Sequence, residues 1–130
     1  MIGKSFNDIS QDQPGTVYAN WEEDGLRCLV MRGPVSLCAY IGVKSGHPLY
    51  GVDYPNIDGV DCHGGLTFSR AGGGEGMPWP DGYWWIGWDY AHYGDRVFYD
   101  TRSFDNMDWN PDDVVSDMRD TIEQVKAIRK

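Results

Sequence analysis

Between Tyr83 and Asp89 the chain reads YWWIGWD, and both alternating sets of its side chains are apolar. A strand with one wet face alternates apolar and polar residues, so a run without that alternation belongs inside a sheet covered on both faces. The fold must therefore supply two covering layers, and one is readable at the C-terminal end. Asn110 suits a helix N-cap, Pro111 the first helical position, and Asp112 and Asp113 the positive end of the dipole. Val115, Met118, Ile122 and Val125 recur at three- and four-residue spacing, and Lys126, Arg129 and Lys130 suit the negative end. An amphipathic helix packed on the sheet is predicted.

The remaining strands are shorter signals. TVYANW, GLRCLVMR and PVSLCAYIGV read as three consecutive strands of a β-meander, and LTFS as a fourth before the tryptophan-rich run. A turn centred on Gly33-Pro34 would set Arg32 opposite Val35 and Cys28 opposite Ala39, placing Cys28 and Cys38 on different faces. With no CxxC pair among three cysteines, reduced thiols are expected. Residues 1–15 are polar, end in Pro14-Gly15 and read as an N-terminal arm; residues 16–130 read as one domain. The expected class is α+β: a mainly antiparallel sheet, long ordered loops and a single C-terminal amphipathic helix.

Charge bears on partners. With 20 acidic and 11 basic residues the net charge is -9, which argues against reading a phosphate backbone, so no direct nucleic-acid binding is expected. An acidic surface suits solubility or a basic protein partner, and the carboxylates from Asp100 to Glu123, Asp105 among them, leave an acidic inhibitor of a host protein open. No apolar run approaches the ~18 residues of a membrane span and no signal peptide is evident, so a cytoplasmic protein without membrane partner is expected.

Several familiar sites are excluded: there is no GxxxxGK[ST] loop, no HExxH helix and no GxSxG elbow, and DYPNIDG lacks the ligand spacing of a calcium loop. Two constellations remain. In DCHGGLTF, His63 is followed by Gly64 and Gly65, which let the backbone turn sharply beside a ligand. In GWDYAHYGD, Asp89, His92 and Asp95 follow the covered strand, where ligand clefts open. Three chemistries are open to this set. His63 or His92 with Asp89 or Asp95 could act as base and orienter, the same residues could hold a divalent metal, or they could bind hydroxyls while Trp88 or Tyr90 stacks on a ligand. Arg70 and Arg96 are the candidates to meet an anion. The glycines of RAGGGEGMPWPDG, 72–76, have the composition of a lid. No particular cofactor is selected by these residues.

GHPLYG, HGGLTF and GWDYAHYGD, followed by an acidic connector and a terminal helix, resemble a family of small proteins encoded mainly by bacteriophages and prophages. The resemblance covers about residues 25–128. Members often carry cysteine where this chain has Tyr90, which weakens any mechanism needing a thiol there. The resemblance implies a phage accessory protein acting in the host cytoplasm. It further implies a counter-defence role in which a homo-oligomer sequesters a small polar ligand, such as a nucleotide-derived immune signal. A hydrolase built on the same histidines and aspartates is the alternative.

Overall fold

A computed structural model describes residues 1–100 and 106–128 of the chain. Five strands form one antiparallel sheet: β1 (Val17–Glu23), β2 (Leu26–Arg32), β3 (Leu37–Val43), β4 (Phe68–Ala71) and β5 (Trp84–Asp89), in the order β1-β2-β3-β5-β4. The helices are α1 (Phe6–Ser10) and α2 (Pro111–Ala127). The α+β class is as expected, and β5 lies inside the sheet between β3 and β4. Among the described residues no helix is long and apolar enough to cross a membrane.

Asp24 and Gly25 join β1 to β2 with φ of 49° and 82°, the positive pair that a two-residue hairpin turn of matching twist requires. The β2–β3 turn is longer than expected. Gly33 N–H donates to the Ser36 carbonyl at 2.8 Å, so Arg32 pairs with Leu37 and Cys28 with Ile41. The register is displaced by two residues, which preserves facing. Cys28 therefore still points into the main core and Cys38 to the opposite face, and the three thiols are free.

α2 covers the first face. Val114, Met118, Ile122 and Val125 are fully buried against Cys28, Val30, Ala39, Ile41, Ile86 and Trp88. Each such side chain contributes roughly 1.5–3 kcal/mol of apolar burial. Val114 rather than the expected Val115 completes the stripe, since it lies one turn before Met118 on the same side; Val115 is half-buried at the edge. The cap is as read: the Asn110 side chain accepts from Asp113 N–H, and Asp113 reciprocates. Lys126 lies in the last turn, whereas Arg129, Lys130 and Asp105 fall outside the described residues.

The N-terminal arm is packed against the rest of the chain. Ser5 and Asp8 form a capping box that starts α1, and Phe6 and Ile9 are buried, Ile9 within the main core. Arg32 fixes it there, donating to the carbonyls of Ile9 and Ser10 while its guanidinium lies 4.0 Å from the centre of the Phe98 ring.

The second face, with Leu29, Met31, Tyr40 and Trp85, is covered by the glycine-rich loop. Trp79 packs on Tyr40 and Phe68, and Arg70 lies over Trp79 while donating to the carbonyls of Ala71 and Gly73. A Cβ on Gly72 would stand 1.9 Å from the Pro80 carbonyl, which also accepts the Trp85 indole N–H at 3.0 Å. The predicted lid is thus a close-packed cover on the face away from α2.

Candidate functional site

The long excursion between β3 and β4 returns beside α2. Gln124 Oε1 accepts from Asp61 N–H at 2.6 Å, and Thr121 donates to the Asp61 carbonyl at 2.9 Å. The turn that follows brings His63 against the end of β5. Gly64, at φ +70°, packs directly on the His92 ring, where any Cβ would stand 2.2 Å from the imidazole.

Asp95 is the centre of this meeting. Its side chain is 3% exposed. A buried carboxylate is tolerable only with its lone pairs satisfied. Oδ2 accepts from His63 Nε2 at 2.7 Å and from the His92 N–H at 2.9 Å, and Oδ1 accepts from the Trp109 indole at 2.8 Å. Because a carboxylate only accepts, Nε2 of His63 carries the proton. The His63 ring stacks on Tyr90 with centroids 4.7 Å apart and stands edge-on to Trp109 at 5.0 Å.

Beneath this layer the Trp88 indole donates to the Tyr90 hydroxyl at 3.0 Å, and that hydroxyl donates to Asp117 Oδ2 at 2.7 Å. Burial, and next the hydrogen bond to Asp117, hold the Tyr90 phenol far above its usual range, so it stays a donor. Asp89 accepts from Ala91 N–H at 3.1 Å and from the Thr67 hydroxyl at 3.3 Å. His92 Nε2 lies 3.1 Å from Asp89 Oδ1 yet is not aligned for a hydrogen bond, and is buried without one. The contact is proximity, not a formed donor–acceptor pair.

His63, Gly64, Asp89, Tyr90, His92 and Asp95 are therefore brought together, with Trp88 behind them and Gly65 closing the turn onto the Cys62 carbonyl. Tyr90 and Trp88 are 1% exposed, so neither is a stacking platform for a ligand. The two arginines make other contacts. Arg70 pairs opposite Trp85 on the second face, and Arg96 is held by Asp108 at 3.2 Å and by the Phe6 ring.

Residues not anticipated complete the cleft beside His63. It has a volume of ≈ 230 Å³ and is lined by Asp61, Cys62, His63, Asp117, Asp120, Thr121 and Gln124. Asp117 and Asp120 stand in the sequence only as part of the acidic stretch from Asp100 to Glu123, and nothing in that stretch marks Trp109 as the Asp95 partner. Burial, together with nearby carboxylates, pushes the Cys62 thiol up to about 12, which disfavours its thiolate at neutral pH. Among the described residues no group of three or more His, Cys, Asp or Glu side chains is placed to hold a metal ion.

A larger cleft of ≈ 450 Å³ lies between the β1–β2 turn and the end of α2, yet its polar groups are consumed by one another. Lys126 contacts Glu23 at 2.6 Å, Asp24 at 3.0 Å and Glu123 at 3.0 Å. His47 accepts from Leu49 N–H and, through Nε2, donates to the Val125 carbonyl. The smaller cleft keeps chemistry to offer.

Set against known proteins, the chain matches no protein-family model, no curated protein and no solved structure. Its own residues carry the functional reading.

Proposed function

We propose that this protein is a noncatalytic binding protein that captures a small polar molecule in the cleft between the 61–65 loop and α2. One observation carries the reading: Asp95 holds His63 by Nε2 and leaves Nδ1, which has no hydrogen-bond partner among the described residues, on a quarter-exposed ring lining that cleft. An imidazole fixed in this way is a preorganised hydrogen-bonding group, and preorganisation lowers the ordering cost of binding. The cleft volume, below the ~300–1,000 Å³ of drug-sized sites, suits a small molecule or the end of a larger one.

The resemblance to phage-encoded proteins supports an accessory role in which capture removes a small host molecule. For a nucleotide-derived signal the base and sugar suit this lining better than the phosphates, since Arg70 and Arg96 are engaged elsewhere. A second reading, a hydrolase with His63 as general base, is favoured by the same Asp95–His63 pair. Its nucleophile would be water, and it lacks an assigned oxyanion partner.

Calorimetric titration with nucleosides, nucleotides, ADP-ribose and amines tests the proposal. Saturable binding that weakens in His63→Gln is expected, with the ligand recovered unaltered. Failure of every compound to bind the folded protein, or turnover of the bound compound, would overturn it.

A further inference from the structure

Asp24, Asp58 and Asp81 each precede a glycine, and all three glycines stand at positive φ. We infer that Asp81-Gly82 is a self-modification site, at which the backbone nitrogen of Gly82 attacks the Asp81 carboxyl and the chain rearranges to isoaspartate with water as the only co-reactant. Geometry separates this pair from the other two. The Gly82 N–H donates to Asp81 Oδ1 at 2.9 Å, so the carboxyl already lies against the nitrogen that must reach it. Among the described residues neither Asp24 nor Asp58 accepts from its following N–H, and Asp24 instead contacts Lys126 at 3.0 Å. Proximity of this kind replaces a conformational search by a held arrangement. Asp81 and Gly82 are both exposed, and no atom lies within 4 Å of where a Gly82 Cβ would stand, so nothing obstructs the approach. From the other side the Asp81 side chain is backed by Gly73, its Cγ 3.0 Å from the position of a Cβ there.

The rearrangement balances without an oxidant or reductant. The Gly82 nitrogen gives up its proton and bonds to Cγ of Asp81, and one carboxyl oxygen leaves as water. The five-membered imide then takes up a water at the carbonyl next to Cα. The bond from that carbon to nitrogen breaks, the nitrogen regains a proton, and the main chain runs on through Cγ. It is then one carbon longer between Pro80 and Tyr83. Both of these neighbours hold the cover of the second face, away from the His63 cleft. The Pro80 carbonyl accepts the Trp85 indole N–H at 3.0 Å, and the Tyr83 carbonyl accepts from Gly72 N–H at 2.9 Å. Close packing does not absorb an added main-chain atom without shifting, so the rearranged chain holds its cover less well.

The test ages the folded protein for several weeks at neutral pH in H₂¹⁸O. Label is followed in the tryptic peptides 5–27, 45–70 and 71–96, each holding one Asp-Gly pair, with the labelled residue located by fragmentation. Asp81 should gain label severalfold faster than Asp24 or Asp58, and in urea, where the held arrangement is lost, the three rates should converge. Asp81→Glu, whose ring would need six members, should lose the label at that position with Tm unchanged. The isoaspartate-containing fraction, separated by chromatography, should unfold at lower urea than the unaged protein. Absence of label at Asp81, Asp24 or Asp58 leading in the folded protein, or an Asp81 lead that persists in urea overturns the inference. So does uptake at position 81 that is unchanged in Asp81→Glu. Equal unfolding midpoints of the aged and unaged fractions overturn the effect on the cover.

Discussion

Gly64 and His92 are packed so closely that a single added methyl would overlap the imidazole, the nearest ring atoms lying 2.2 Å from the position of a Cβ. Gly65, next to it, has a φ of +85° but open space around its Cα. The two glycines therefore separate backbone strain from close approach. Gly65→Ala should cost about 1 kcal/mol, the penalty of a side chain in the left-handed region. Gly64→Ala adds a steric clash with a ring held between Asp89 and Gly64, and should cost about 2–4 kcal/mol in urea denaturation. Equal effects of the two substitutions would refute the close-packing account.

Asp95 is held by donors from three separate segments, and Trp109 supplies the one to Oδ1. Trp109→Phe keeps an aromatic ring beside His63 and Tyr90 but removes that donor. Leaving a buried acceptor short of a partner costs about 1–3 kcal/mol. Thermal or chemical unfolding should show that loss, with altered ring shifts at His63 in proton NMR. A neutral effect on stability would mean that Asp95 does not depend on Trp109.

How far the sequence led is clear at particular residues. The doubly apolar run at Tyr83–Trp88 is a local signal and placed β5 correctly inside the sheet, and the cap at Asn110 placed α2. The β2–β3 register was missed because turn length, not strand composition, sets it: the Gly33–Ser36 hydrogen bond lengthens the turn. Arg70 was misplaced because its facing depends on which β5 residue it opposes, and Trp85 points away from α2. Within the site, His63 and Asp95 were nameable as residue types suited to pairing. The Trp109 and Asp117 contacts join distant segments through packing that no local pattern encodes.

Cysteine reactivity gives an independent check on burial. Burial first, and then neighbouring charges, push Cys28 and Cys62 up to about 12 and Cys38 up to about 11 from an ordinary value of 9.0. Three units lower the thiolate fraction on the order of a thousandfold at pH 8. Alkylation by iodoacetamide, followed by mass spectrometry, should be slow at all three sites in the folded protein and rapid in denaturant. Rapid labelling of Cys62 in the native state would instead identify an activated thiol beside His63 and revive the catalytic reading.

The Glu23 network predicts an acid-sensitive link between the β1–β2 hairpin and α2. Hydrogen bonds from Lys126, then from Arg119 and Trp21, hold the Glu23 carboxyl down to about 2 from 4.5. A carboxyl whose folded value is lowered stabilises the fold above its unfolded value and loses that contribution as pH falls through the folded one. The window is therefore about pH 4.5 to 2. Glu23→Gln should lower Tm at pH 7, and the gap between variant and wild type should close as pH falls through that window. Because the carboxylate is partly solvated, salt should shrink the gap as well. A gap that stays constant from pH 7 to pH 2 would show that Glu23 contributes packing without charge.

Position on the sheet separates the two faces functionally. Arg70 ties the glycine-rich loop to the second face by hydrogen bonds at 2.7 and 2.8 Å and by stacking on Trp79, with β4 and β5 between it and the His63 cleft. Arg70→Ala should thus loosen the cover over Tyr40 and Trp85, costing about 1–2 kcal/mol through lost stacking and hydrogen bonds. It should leave ligand affinity at the cleft within twofold of wild type. His63→Gln should show the opposite pattern, weakening ligand binding severalfold while retaining a neutral donor toward Asp95. Paired unfolding and calorimetric measurements on the two variants decide the matter, and a large loss of affinity in Arg70→Ala would return the arginine to the site and the anion to consideration.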